Sequence, residues 1–462
     1  MSASYKPIAP ANKVTSKRVI WATFVIALGG LLFGYDSGVI SGALPSMTKD
    51  FDLDAIHSGM VVSSLVVGAA IGALSAGRIS DRFGRRPVLI AASAIFVLGA
   101  IIAAFAPNVP IMIVARVILG LGVGTASNIV PVFISELAPA HIRGRLVALN
   151  QLMIVTGIML AYIANYALHG VSHDWRWMFG ISIAPALLFG IGIITLSESP
   201  RWLALDGQVD KARQVLQSVR ESQNVEDELS EIKASIGGEQ GNVGFRALGE
   251  RRLRRVLIAG IGLQILGQLT GVNAVVFYAP TIFKGAGLGD SSAILATVGM
   301  GAINIVATFI GMALVDKIGR TRLLASGSFL MTIFLAGLAI DLAIGGQGTT
   351  SAIIGLICVF GYIAAVASTL NVVVFIIASE LYPLSVRGTA MSLTIGVNWT
   401  MSFIVSLTFL SLFETFGGPG TFGVYALTSA VLGIFALKVI PETKGKTLEE
   451  IERDYASSRA KS

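Results

Sequence analysis

"SELAPAHIRG" occupies residues 135–144, and "SELYPLSVRG" returns at 379–388. Two further pairs keep step with it. "GRISDRFGRRP" at 77–87 has a shorter echo in "VDKIGRTRL" at 315–323, and "SESPRWL" at 197–203 is answered by "PETKGKT" at 441–447. The offsets agree: 244 residues from Glu136 to Glu380, 244 from Glu198 to Glu442, and 235 from Asp81 to Asp316. A self-similarity of this kind is an internal duplication. The nature of the repeated unit follows from what lies between the motifs, which is apolar.

Charged residues make up 13% of the 462-residue chain and hydrophobic residues 54%, where ordinary soluble domains carry about 25% charge. Mean hydropathy is +0.77. No run of short alternating strands appears, which excludes a transmembrane β-barrel and predicts an all-α polytopic membrane protein. Twelve apolar segments are long enough for a hydrocarbon layer of about 30 Å: 19–44, 57–77, 88–107, 110–133, 146–168, 177–196, 256–284, 293–315, 322–344, 352–381, 389–412 and 421–440. The polar start and the length of the first segment do not fit a cleavable signal.

Each copy of the repeat spans six crossings. An even number sets both copies the same way up, as in transporters whose halves rock about an axis along the membrane normal. The expected organisation is a tail at 1–18, a six-helix bundle at 19–196 and a linker with short amphipathic helices at 197–255. A second bundle at 256–440 and a tail at 441–462 follow. Of 34 Lys and Arg, 30 fall in the tails, the linker and the even-to-odd loops. The opposite loops hold Lys49, Arg176 and Lys284. This asymmetry predicts cytoplasmic termini.

Two ionisable residues stand inside the first bundle. Asp36 interrupts the apolar run of span 1 in "GGLLFGYDSGVISG" (29–42), and Arg116 lies in span 4. Each costs about 2.5–3.5 kcal/mol at a helix centre. Pairing them is the cheapest arrangement, because no other span of that half offers a mid-span cation. Asp36 and Arg116 are therefore expected to pair, and if rocking of the halves changes water access to the pair Asp36 is the candidate proton carrier.

The repeated motifs place acids among bases at the cation-rich ends: Asp81, Arg82, Arg85, Glu136, Arg143 and Glu198 in one copy, Asp316, Arg320, Glu380 and Arg387 in the other. Anchoring to the membrane needs no acids, so a cytoplasmic gate is expected: a charge network that pairs across the halves when the inside is closed and breaks when it opens. Amides within spans include Gln151, Gln264, Gln268, Asn273, Asn304, Asn371 and Asn398, the last beside Trp399. An amide both donates and accepts, which matches a hydroxylated solute. "TGVN" (270–273) predicts a break in span 7, where freed backbone can line a cavity. The glycine and alanine stripes at Gly68, Gly72 and Ala76, and at Gly120 and Gly124, predict close helix packing.

Seven motifs in order, "GRISDRFGRRP", "SELAPAHIRGR", "SESPRWL", "GQLTGVNAVVFYAP", "VDKIGRTRL", "SELYPLSVRG" and "PETKG", resemble the sugar porter family of the major facilitator superfamily. The resemblance implies two six-helix bundles, alternating access and a monosaccharide or cyclic polyol as substrate. It implies substrate contacts at Gln151, Gln268 and Asn273, with Gln264, Asn304, Asn398, Trp399 and Phe375 as further candidates. It also implies an extracellular gate at Phe277 and Tyr278. Proton-coupled members resemble this chain in pairing a span 1 aspartate with a span 4 arginine; uncoupled facilitators tend to be neutral there. The chain departs from the family at Gly267, where a glutamine is usual. In span 10, "STLNVVVFIIASE" (368–380) lacks the usual Gly-Pro break and has Phe375 in place of a tryptophan.

Beyond the proton no cofactor is implied, and the four histidines and single Cys358 offer neither a metal site nor a disulfide. An enzyme and a nucleic-acid-binding role are not expected; the partners are the sugar or polyol, the proton and the lipid bilayer. Such a bundle can work as a monomer. An uncoupled facilitator is the alternative, and a transporter-like sugar sensor a weaker one. Compact outer loops suggest a bacterial inner membrane.

Overall fold

The computed structural model describes residues 17–139, 142–220, 225–226, 228–230, 232, 253–345, 348–382, 386–442 and 444. Most of the expected tails at 1–18 and 441–462, and most of the linker after 220, lie outside these residues. Every element described is a helix. Among the described residues, eleven stretches are long and apolar enough to cross a membrane. The last helix, Arg387–Val439, holds two of the spans, because Gly417 (φ 64°) and Pro419 turn the chain within it. The protein is a twelve-span, multi-pass membrane protein of two pseudo-symmetric halves.

Chain ends and turns follow from local chemistry. Asp54 accepts from the backbone N–H of His57 at 2.7 Å and starts span 2 (Ala55–Phe83). Asn108 does the same for span 4 (Val109–Leu137), with a proline in its first turn. Such caps satisfy helix-end N–H groups that hydrocarbon cannot. Large apolar side chains such as Ile71, Leu74, Ile191 and Ile333 are exposed and form the lipid-facing surface.

The glycine stripes bring helices into contact as their spacing predicts. A Cβ on Gly68, Gly72, Gly120 or Gly124 would collide with the carbonyl of Val117, Leu121, Leu65 or Ala69, so spans 2 and 4 touch backbone to backbone. Span 1 (Lys17–Phe51) meets span 5 (Arg143–Leu168) through Gly34 and Gly157 in the same way. Tight backbone approach is how helices gain packing energy where lipid offers no hydrophobic drive.

Span 7 breaks where "TGVN" predicts. One helix runs Arg254–Leu269, Gly271 takes φ +82°, and a second helix runs Val272–Phe277. Span 10 also breaks, without a proline: Thr349–Ser368 stops at Thr369 (φ −128°, ψ −80°) and Leu370–Leu381 follows. The Thr369 hydroxyl donates to the Ala365 carbonyl at 2.6 Å. Two glycines on neighbouring spans make room: a Cβ on Gly327 would strike the Thr369 side chain, and one on Gly311 would strike the Ser368 carbonyl.

The halves meet at the cation-poor side. Span 2 packs on span 11, span 5 on span 8 (Asp290–Ile318), and span 1 on the second part of span 7. Gly59 lies against the Leu407 carbonyl, and Gly301 against Met159 and Tyr162. After span 6 (Asp174–Ile194), two short amphipathic helices, Pro200–Leu205 and Val209–Val219, lie at the cation-rich end of the first half.

Candidate translocation site

Span 1 delivers Asp36, and span 4 delivers Arg116 one glycine-lined turn from Gly120. The Arg116 Nη1 donates to Asp36 Oδ2 at 2.9 Å, and both side chains are fully buried. Arg116 Nε donates more weakly to the Val61 carbonyl at 3.4 Å, and its guanidinium lies 5.8 Å from the Phe179 ring centroid. Nη2 has no partner. The pair is therefore sealed from water but incompletely satisfied. That is a costly arrangement for a purely structural tie, since one buried donor keeps its desolvation penalty.

A chain of polar side chains joins spans 7 and 11. Gln268 Nε2 donates to Asn398 Oδ1 at 2.8 Å, and Asn273 Nδ2 donates to Gln268 Oε1 at 2.9 Å and to Ser402 Oγ at 2.7 Å. The break at Gly271 is what brings Asn273 back over Gln268. Trp399 reaches across the halves to Phe33, with ring centroids 6.0 Å apart. Phe375 is 48% exposed. Gln151 is half-buried on span 5. Gln264 is buried with both amide atoms unpartnered, and Asn304 is buried with Oδ1 unpartnered. Orphaned buried amides are uncommon and would be satisfied by water or a hydroxylated solute.

At the cation-poor side, Phe277 and Tyr278 are buried. Tyr278 stacks on Phe409 at 4.8 Å and donates to the Ser406 carbonyl at 2.9 Å. Tyr162 of the first half donates to the Val276 carbonyl of the second at 3.2 Å. This end is closed.

At the cation-rich side the two copies of the motif build the same device. Arg85 forks onto Glu136, with Nε–Oε2 and Nη2–Oε1 both 3.1 Å, and its Nη1 meets Asp81 at 3.0 Å. Arg320 meets Asp316 at 3.1 Å and Glu380 at 3.4 Å. Glu198 accepts the backbone N–H groups of Arg85 and Arg86 at 3.1 and 3.0 Å. Glu442 accepts those of Arg320 and Thr321 at 2.9 and 3.2 Å. Each glutamate caps the helix that follows a glycine, Gly84 (φ +97°) or Gly319 (φ +100°). The two carboxyls titrate in opposite directions. Burial pushes Glu198 up against the pull of its N–H donors. At Glu442 burial acts the same way, but four backbone N–H groups outweigh it and hold the carboxyl down.

The ion pairs described here tie residues of one half to each other; pairing across the halves is the expectation for the inside-closed state. The reason is geometric: the halves touch at the far side, so their cation-rich ends face an opening. Arg82 lies 5.3 Å over the Phe83 ring, Arg143 is exposed, and the Arg387 side chain lies outside the described residues.

Residues 22–455 match the family described as "Sugar (and other) transporter". The chain belongs to this sugar transporter family. It is 42% identical over 440 residues to a D-xylose transporter of Levilactobacillus brevis, covering 95% of each chain. It is 37% identical over 439 residues to the galactose-proton symporter of Escherichia coli K12, covering 94% of each. Its fold is similar to the partially occluded inward-open xylose transporter XylE from E. coli, with a TM-score of 0.83, 31% identity and coverage of 94% of this chain and 100% of that one. Membership in the sugar transporter family makes the chain a transporter and not an enzyme.

The fold thus brings Asp36 to Arg116, and Gln268 to Asn273 and Asn398, as hydrogen-bonded groups. Gln151, Gln264 and Asn304 stand without a described link to that cluster. Three participants escape the sequence reading. Ser402 follows Asn398 by four residues, on the same helical face, and that spacing could have marked it. Phe33, three residues before Asp36, shares the face of span 1 that carries the carboxylate. The Val61 carbonyl carries no side-chain signal at all.

Proposed function

We propose that this sugar transporter imports a monosaccharide or cyclic polyol by proton symport, through alternating access. The observation that carries the coupling is the Asp36–Arg116 pair: two charges held at 2.9 Å inside a dry bundle, with one guanidinium nitrogen left free. A carboxylate there can exchange its bond to Arg116 for a proton when rocking of the halves lets water in. The related proton symporter supports this reading by analogy.

The substrate site is the Gln268–Asn273–Asn398–Ser402 cluster, flanked by Trp399, Phe33 and Phe375, with Gln151 on the facing half. Gln264 and Asn304 offer unspent hydrogen-bonding groups. Gly267 and Phe375 remove an amide and an indole N–H relative to the family pattern, so the resemblance does not carry the common hexose specificity over to this chain. Phe277 and Tyr278 close the outer path, and the Arg85 and Arg320 networks act at the inner one. The cation asymmetry supports cytoplasmic termini, and the compact outer loops support a bacterial inner membrane. An uncoupled facilitator is the alternative, and Asp36 argues against it.

The test is uptake by purified protein in liposomes, over a panel of sugars and polyols, with an imposed pH gradient. Accumulation above the external concentration, collapsing when a protonophore is added, is expected for one compound of the panel. Equilibration alone, indifferent to the gradient, would establish the facilitator.

A further inference from the structure

A cleft of about 410 Å3 opens at the cation-rich end of the first half, off the path between the halves. It falls in the size range of small-molecule sites. Its floor is the end of spans 2, 3 and 6, and its outer wall is the short helix Val209–Val219. The two walls differ in chemistry. On one side stand Phe83 and Pro87. Phe83 is 56% exposed and lies one turn from lipid-facing Ile79, so this wall continues the hydrocarbon-facing surface. On the other side stand Lys211, Gln214 and Ser197.

The charges around the cleft are mostly committed. Arg86 donates to the carbonyls of Ile193 and Ile194, closing the end of span 6. The Glu198 carboxylate is taken by backbone N–H groups. The Trp202 indole donates to the Asp81 carbonyl at 2.9 Å. Lys211 is exposed and makes no ion pair among the described residues. Among its described lining residues the cleft therefore presents one uncommitted cation beside an apolar wall, at the cation-rich end of spans 2 and 3.

We propose that this cleft binds the headgroup of an anionic phospholipid of the cytoplasmic leaflet. The phosphate faces the Lys211 ammonium, with Ser197 and Gln214 as neutral donors, and the first chain carbons run over Phe83 and Pro87. A soluble anion would leave the apolar wall unused, and a neutral apolar solute would leave the lysine unused. Anionic inner-leaflet lipids attract cations at this depth. The bound lipid would fasten the two short helices to the bilayer. The leaflet assignment rests on the cation asymmetry; the binding itself is independent of proton coupling.

The full-length protein, delipidated in detergent, is titrated with phosphatidylglycerol or with phosphatidylcholine of the same acyl chains, and bound lipid is counted by native mass spectrometry. Phosphatidylglycerol is expected to be retained several-fold over phosphatidylcholine. Lys211→Gln should abolish the excess, Lys211→Arg should keep it, and Lys317→Gln on the other half should leave it unchanged. An excess that survives Lys211→Gln overturns the proposal. So does displacement of the lipid by millimolar inorganic phosphate or glycerol phosphate, which would identify a soluble-anion site instead. Lys211 is exposed, so the variant should unfold at the same temperature as the parent in lipid-free detergent.

Discussion

Asn273 and the glutamates of the repeated motif make the sharpest residue-scale tests. Asn273 donates to Gln268 and Ser402 through one amide. Removing one partner of such a network costs about 1–3 kcal/mol. Asn273→Ala should therefore weaken apparent substrate affinity by roughly 5- to 150-fold, read from the concentration dependence of uptake. Ser402→Ala should do less, because Gln268 still holds Asn273. Glu198 and Glu442 perform the same cap but differ in charge preference. Burial raises the Glu198 carboxyl, so the folded state binds its proton more tightly than the unfolded chain does. Its ionisation opposes folding as pH rises through the raised value. Glu442 is held low, so its ionised form supports folding at neutral pH and that support is lost in acid. Replacing each by Gln at pH 7 should lower the unfolding temperature more for Glu442→Gln than for Glu198→Gln. The reverse order would contradict the assignment.

Elements were legible wherever the chain advertises them. Apolar length marked the twelve spans, Gly271 marked the break in span 7, and the glycine stripes marked the seam between spans 2 and 4. The break at Thr369 was not legible. It depends on Gly327 and Gly311 from spans 9 and 8, which are distant in sequence and meet it only in the folded bundle. The same holds for Phe33 and Trp399, which meet across the halves. The turn before span 3 offers a test at this scale. Gly84 has φ +97°, and a Cβ there would press on the Glu198 carboxylate. With ψ 163° this is a region that only glycine enters readily, and a non-glycine residue there costs about 1–3 kcal/mol. Gly84→Ala should destabilise by at least that amount. Gly77→Ala, in open space on span 2, should be neutral or stabilise by up to about 1 kcal/mol. Thermal unfolding in detergent compares them.

At the scale of the molecule, two similar halves are joined at one side and parted at the other. The repeat made the halves legible, and the cation census suggested which ends face the cytoplasm. Which end is closed was not legible, because it depends on how the halves lean and not on any residue within them. Gly301 lies against Met159 across the closed end. A Met159→Cys/Gly301→Cys pair, in a Cys358→Ala background, should crosslink on oxidation. Uptake should stop while the disulfide holds and return on reduction. Free transport in the crosslinked protein would show that the halves need not part there.

The central claim is that Asp36, facing Arg116, carries the coupled proton. The most direct measurement compares Asp36→Asn with the parent in liposomes, by gradient-driven accumulation and by counterflow exchange of the same substrate. The account expects accumulation to be lost and counterflow to persist. Proton-driven accumulation retained by Asp36→Asn would contradict it.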